Sequence, residues 1–186
     1  MALFADGTTV HAADLNGNLP VLLASSVLVA PAANIPLAIP AGFNRIKVYW
    51  RVRASDGVPA EPLYLQVNGD TGNDYLWEVN QANNATVAGT TSGAATGHIQ
   101  IGTIPAASAT ALYFGSGEFT LDGASDTTNY KTITGSGSAY ASTTNMWAGV
   151  YGGQWLSAAA VTSLLLFPGN SSNFVVGSSA SAYGLM

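Results

Sequence analysis

The chain has 186 residues, no cysteine, a formal net charge of −5 and 8% charged residues, against about 25% in an ordinary soluble domain. That excludes disulfides and cysteine-based zinc sites and argues against a binder of nucleic-acid phosphates. The weakly charged surface of Gly, Ala, Ser, Thr and Asn repels copies of itself very little, which suits a chain that works packed against its own copies or other proteins.

Residues 1–18 (MALFADGTTVHAADLNGN) are polar and punctuated by Gly and Asn, and are read as an N-terminal arm. Residues 19–186 are long enough for one domain with its own core. Residues 19–43 are apolar in sum, but Pro20, Pro31, Pro36 and Pro40 interrupt them, so they are not a membrane span. No Lys or Arg precedes Arg45, so the start does not read as a signal peptide, and the expectation is synthesis and assembly in the cytoplasm. A first strand is expected over residues 21–29, then a proline-limited edge piece over Asn34–Pro40.

Over Phe43–Arg53 the alternation is unbroken. Ile46, Val48, Trp50 and Val52 fall on one face of a strand, and Arg45, Lys47, Tyr49, Arg51 and Arg53 on the other. Four of the five basic residues, Arg45, Lys47, Arg51 and Arg53, thus form a candidate surface for an acidic partner, with a merely solvated strand face as the alternative.

Residues 63–79 (LYLQVNGDTGNDYLWEV) alternate, break at a Gly/Asn-rich turn and alternate again, which predicts a hairpin. Asn68, Asp70, Asn73 and Asp74 in that turn are candidate hard-oxygen ligands for Ca²⁺. The preferred reading is an Asx-rich turn whose side chains cap their own backbone, since the spacing and closing Glu of an EF-hand are absent. No other metal site and no cofactor is expected. Residues 80–97 have no period and are read as a long surface loop.

Strands follow at 98–104 and at 111–121, the latter with a Gly-Ser-Gly interruption. A short strand is expected over 129–134, followed by a Gly/Ser link over 135–138. Met146–Trp155 holds two of the four tryptophans. Trp147 and Trp155 are candidate contacts to a subunit interface or a glycan. A strand over 161–167 precedes Pro168-Gly169-Asn170. Near the C-terminus Tyr183 and Leu185 share parity and are expected to face the core. About ten short strands and no sustained 3.6-residue period indicate an all-β sandwich or barrel.

Catalysis has little to draw on. His11 and His98 have no partners at a recognisable spacing, and no Gly-x-Ser-x-Gly elbow occurs. A distant pair of glycosidase carboxylates stays open on sequence alone, although the acids sit mainly in turns. The expectation is that the chain is not an enzyme.

Three pieces carry a family resemblance: Ile39-Pro40 followed by FNRIKVYWRVRAS, then LYLQVNGDTGNDYLWEV, then the closing LLLFPGNSSNFVVGSSASAYGLM. Together they resemble the small jelly-roll structural proteins and fibre-tip domains of tailed bacteriophage virions. The matching residues are Asn68, Gly69, Asp70, Thr71, Gly72, Asn73 and Tyr75, then Asn173, Phe174, Gly177, Ser178, Tyr183, Gly184 and Leu185. Asp74 is an insertion-like departure. The resemblance spans roughly residues 34–186. It implies a jelly-roll-like antiparallel β-sandwich and a non-enzymatic virion component, commonly a homotrimer. A chain this short, with a small arm, fits a capsid decoration or cement protein on the head surface. Its partners would then be its own copies and the major capsid protein or other virion proteins, with neither nucleic acid nor membrane involved. A tail fibre or spike tip that binds a host receptor or surface glycan is the rival implication.

Overall fold

The structure is a computed structural model and describes residues 19–84 and 86–185. The expected arm, residues 1–18, lies outside the described residues, and so does His11. Among the described residues there are twelve strands: β1 (Val21–Val27), β2 (Ile35–Ala38), β3 (Arg45–Val52), β4 (Ala60–Val67), β5 (Tyr75–Asn83), β6 (Thr86–Thr96), β7 (Ile99–Pro105), β8 (Gly115–Asp122), β9 (Lys131–Ser142), β10 (Asn145–Trp155), β11 (Ser163–Pro168) and β12 (Ser179–Leu185). They build an eight-stranded sheet, β1-β12-β3-β8-β9-β10-β5-β6, and a four-stranded sheet, β2-β11-β4-β7. Every neighbouring pair is antiparallel. The chain is therefore an all-β sandwich.

Setting aside the hairpins β5–β6 and β9–β10 leaves two four-stranded layers, β1-β12-β3-β8 and β2-β11-β4-β7. This order is compatible with a jelly roll. The two hairpins then widen one layer only.

The core follows from the alternation. Ile46, Val48, Trp50 and Val52 of β3, with Phe119 and Leu121 of β8, face Leu63, Leu65 and Val67 of β4 and Leu164 and Leu166 of β11, all buried. The Trp50 indole lies across its own sheet over Gly117 and Gly137 and reaches Gly102 of the other sheet. A Cβ at those three glycines would sit 2.4, 2.7 and 3.0 Å from Trp50 Cζ2. The glycines are the space the indole occupies.

Five expectations are corrected. Residues 63–79 are not a hairpin, because β4 and β5 belong to different sheets. Asn68 and Gly69 take φ of 55° and 67°, and the turn carries the chain across the sandwich. Tyr75 arrives fully buried, and its hydroxyl donates toward Asp70 O at 3.0 Å and accepts from Val67 N at 3.0 Å. Residues 80–97 are not a loop. They form the end of β5 and the whole of β6, where small side chains conceal the period. The strand expected from 111 begins only at Gly115, and the link expected over 135–138 lies inside continuous β9. Finally, Ala180, Ala182 and Gly184 face inward from β12, while Tyr183 and Leu185 lie half-buried on the outer side. Phe43 fills the space beside Gly184, where a Cβ would meet its ring at 2.2 Å.

Candidate functional site

The four cations of the expected basic patch are already engaged. Arg45 Nε lies 3.0 Å from Asp122 Oδ1 and Lys47 Nζ 2.5 Å from Glu118 Oε1, both cross-strand pairs between β3 and β8. The Arg51 guanidinium stacks on the Phe114 ring at 4.0 Å. Arg53 leaves the surface set altogether. It is 9% exposed, and its guanidinium donates to four carbonyls, Thr110 O at 2.8 Å, Tyr113 O at 3.0 Å, Ala109 O at 2.9 Å and Ala107 O at 3.3 Å. Burial pushes its pKa down from the ordinary value. The reason is local: β3 ends at Val52, and residues 52–54 are all buried, so strand parity no longer sends Arg53 outward. What remains outside is two ion pairs and a stacked arginine, each already neutralised or covered by a neighbour.

The side-chain oxygens of Asn68 and Asp70 in the Asn68–Asp74 turn are taken by hydrogen bonds, only one of them from the turn's own backbone. Asn68 Oδ1 accepts from Thr162 N at 2.7 Å and Ser163 N at 3.1 Å, and its Nδ2 donates to Ala160 O at 2.8 Å. Asn68 thereby fastens the entry to β11 rather than facing the other turn oxygens. Asp70 Oδ1 accepts from Gly72 N at 2.8 Å, an Asx turn, and its Oδ2 accepts from Trp155 Nε1 at 2.7 Å. Asn73 and Asp74 are exposed. Among the described residues, no group of three or more His, Asp or Glu side chains converges as metal ligands would.

The two candidate tryptophans part company. Trp155 is 2% exposed and tethered to Asp70, so it belongs to the core and offers no ring face to a sugar. Trp147 is half-buried on β10, in register between Asn83 of β5 and Ala139 of β9. The structure therefore does not bring them together.

An aromatic patch elsewhere was missed. On the outer face of the four-stranded sheet Tyr64 of β4 and Phe167 of β11 are cross-strand partners with ring centroids 5.6 Å apart. His98 sits 3.9 Å from the Tyr64 ring and 5.9 Å from Phe167. Leu165, paired with Pro36 of β2 and Gln66 of β4, extends the patch. Burial pushes the His98 pKa down, so the ring is neutral at pH 7, and burial followed by the Glu61 charge pushes the Tyr64 phenol up. Tyr64 and Phe167 lie in strands that the sequence predicts, and His98 lies in the bend just before β7. Their meeting depends on pairing strands about a hundred positions apart, which no local period reveals. The outer face of the eight-stranded sheet is chemically different: a broad depression lined by Ser116, Ser136, Ser138, Ala148 and Val150.

No protein-family model and no curated protein matches the chain.

Proposed function

We propose that this chain is a non-enzymatic structural protein of a bacteriophage particle, acting as a homotrimeric decoration protein on the capsid surface. The observation that carries the reading is the outer face of the four-stranded sheet. Tyr64, Phe167, Leu165, Pro36 and neutral His98 form an uncharged aromatic and aliphatic patch on a body with very few free charges. Association there gains from apolar burial rather than from ion pairing. The sandwich order, compatible with a jelly roll, and the sequence resemblance support the same reading. On this view the major capsid protein is the partner, and the protein is carried in the virion after assembly in the host cytoplasm.

Quantitative mass spectrometry of purified particles tests it. A copy number comparable to that of the major capsid protein supports the reading, and absence from the particle overturns it. A few copies per particle would instead favour the second reading, a tail fibre or spike tip. The aromatic patch is the feature that serves that reading, because stacked rings beside Gln66 suit a receptor or surface glycan.

A further inference from the structure

The sheet edges differ sharply in protection. An edge strand presents unpaired N–H and C=O groups, and proteins blunt it by proline, charge, shortness or a covering segment. β2 has four residues and contains Pro36. β7 is covered, with all seven residues buried, and packs against β5, β9 and β10 of the other sheet. Among the described residues, the two edges of the eight-stranded sheet, β1 and β6, lack these devices. β6 runs eleven residues and β1 seven, neither with a proline or a charge. Between its irregular ends β6 keeps a regular ladder from Gly89 to Ala94, opposite Gln81 to Leu76.

The β1 edge is also greasy. Leu19, Val21, Leu22, Val27 and Val29 are five of the twelve exposed large hydrophobic residues among the described ones. A bare apolar edge strand in water is an aggregation hazard unless something covers it. Direction decides what fits. Seven successive antiparallel pairings lead from β1 to β6, so the two edges run in opposite senses. β1 of a second copy laid beside β6 continues the antiparallel ladder and keeps the same side of the sheet outward.

We propose that β6 of one copy pairs with β1 of the next, so that the eight-stranded sheets join head to tail between copies of this chain. A β6–β6 contact would leave the apolar β1 edges bare, whereas β6–β1 pairing satisfies both edges in every copy. With no charge on either strand, no like charges meet across the junction. The contact is heterologous and forms a ring when its rotation closes. It rests on the self-association part of the reading above and names the strands that would join three copies.

The chain has no cysteine, so single-cysteine variants report contacts cleanly. Ser92→Cys on β6 and Ser25→Cys on β1, both exposed, are mixed and bridged with a short bis-maleimide. The mixed cross-link is expected in large excess over either variant cross-linked to itself. Thr91→Lys, an exposed edge position opposite buried Val79, is expected to convert the oligomer to monomer in light scattering while circular dichroism is unchanged. The proposal is overturned by cross-links confined to Ser92→Cys alone, or by an oligomer that Thr91→Lys leaves intact. In those cases the trimer itself still stands. A wild-type monomer at micromolar concentration would overturn this contact and the trimer together, while the virion copy number is read independently.

Discussion

The two halves of the eight-stranded sheet solve one packing problem in opposite ways. In the half made by β1, β12, β3 and β8, the inner face is set by large side chains: Ile46, Val48, Trp50, Val52, Phe119 and Leu121. In the half made by β9, β10, β5 and β6, many inner positions are glycine or alanine, among them Gly135, Gly137, Ala139, Gly149 and Gly153. Those gaps are filled from elsewhere. Trp50 reaches over Gly137, Ile99 of the other sheet lies 3.2 Å from a Cβ placed at Gly153, and Trp77 of β5 covers Gly93 of β6, with Nε1 only 2.3 Å from a Cβ there. Large residues in one strand are matched by missing side chains in the next, which holds the layer spacing constant.

Removing the bridge between the halves gives the largest expected effect. Trp50→Ala deletes a side chain that touches both sheets, and it is expected to cost about 3–5 kcal/mol in urea unfolding. A cost well under ~1 kcal/mol would show that the halves pack independently of it.

Next comes the fastening of the large-residue half to the β7–β8 connection. Arg53→Met keeps most of the volume but abandons four carbonyl acceptors, and the expected loss is about 3 kcal/mol. Arg53→Lys should restore only part of it, because an ammonium lacks the guanidinium's planar fork. Equal stability of the Met and Lys variants would mean that the carbonyls find water instead.

The glycine side of the comparison is probed by Gly137→Ala. A methyl there meets Trp50 Cζ2 at 2.7 Å and Ser116 O at 3.1 Å, and overpacking is expected to cost about 1–3 kcal/mol. Gly152→Ala in β10 is the control. It meets nothing within 4 Å and should stay within about 0.5 kcal/mol of wild type. Similar behaviour of the two variants would break the account of Gly137 as reserved space.

The same contrast explains what could be read from the sequence. β3 and β4 are legible because large apolar residues alternate with polar ones, and β3 buries the face that its alternation predicts; β11 is legible as a short apolar run that stops at Pro168-Gly169. β6 and the middle of β9 look like a loop and a link in the sequence because glycine, threonine, serine and alanine carry no period when the bulk comes from a different strand. The turn at Asn68 was legible in its chemistry but not in its destination, since a hairpin and a crossing between sheets use the same Asn-Gly signal. The burial of Trp155 and the meeting of Tyr64, His98 and Phe167 depend on long-range pairing that no segment encodes alone, and Arg53 turns inward because β3 ends just before it.

The smallest effect concerns where that crossing is fastened. Tyr75 is fully buried, and burial, with a further contribution from the charges of Asp70 and Asp74, pushes its phenol up to about 12 from an ordinary 10.0, against the opposing hydrogen bond with Val67. The folded state thus holds the protonated phenol. Its contribution is complete below pH 10 and is lost as pH rises from about 10 toward 12. Tyr75→Phe removes the hydroxyl bonds to Val67 and Asp70 and should cost about 1 kcal/mol near neutral pH. The variant should also lose less stability than wild type between about pH 8 and pH 11, narrowing the gap between the two proteins. The sensitivity will not vanish, because buried Tyr151 of the glycine-rich half is also pushed up to about 12. Urea midpoints at both pH values, for Tyr75→Phe and Tyr151→Phe, separate the two phenols. If Tyr75→Phe left the alkaline loss unchanged, the phenol would be ionising freely in the folded protein, and the crossing would be held by the Asn68 bonds and not by Tyr75.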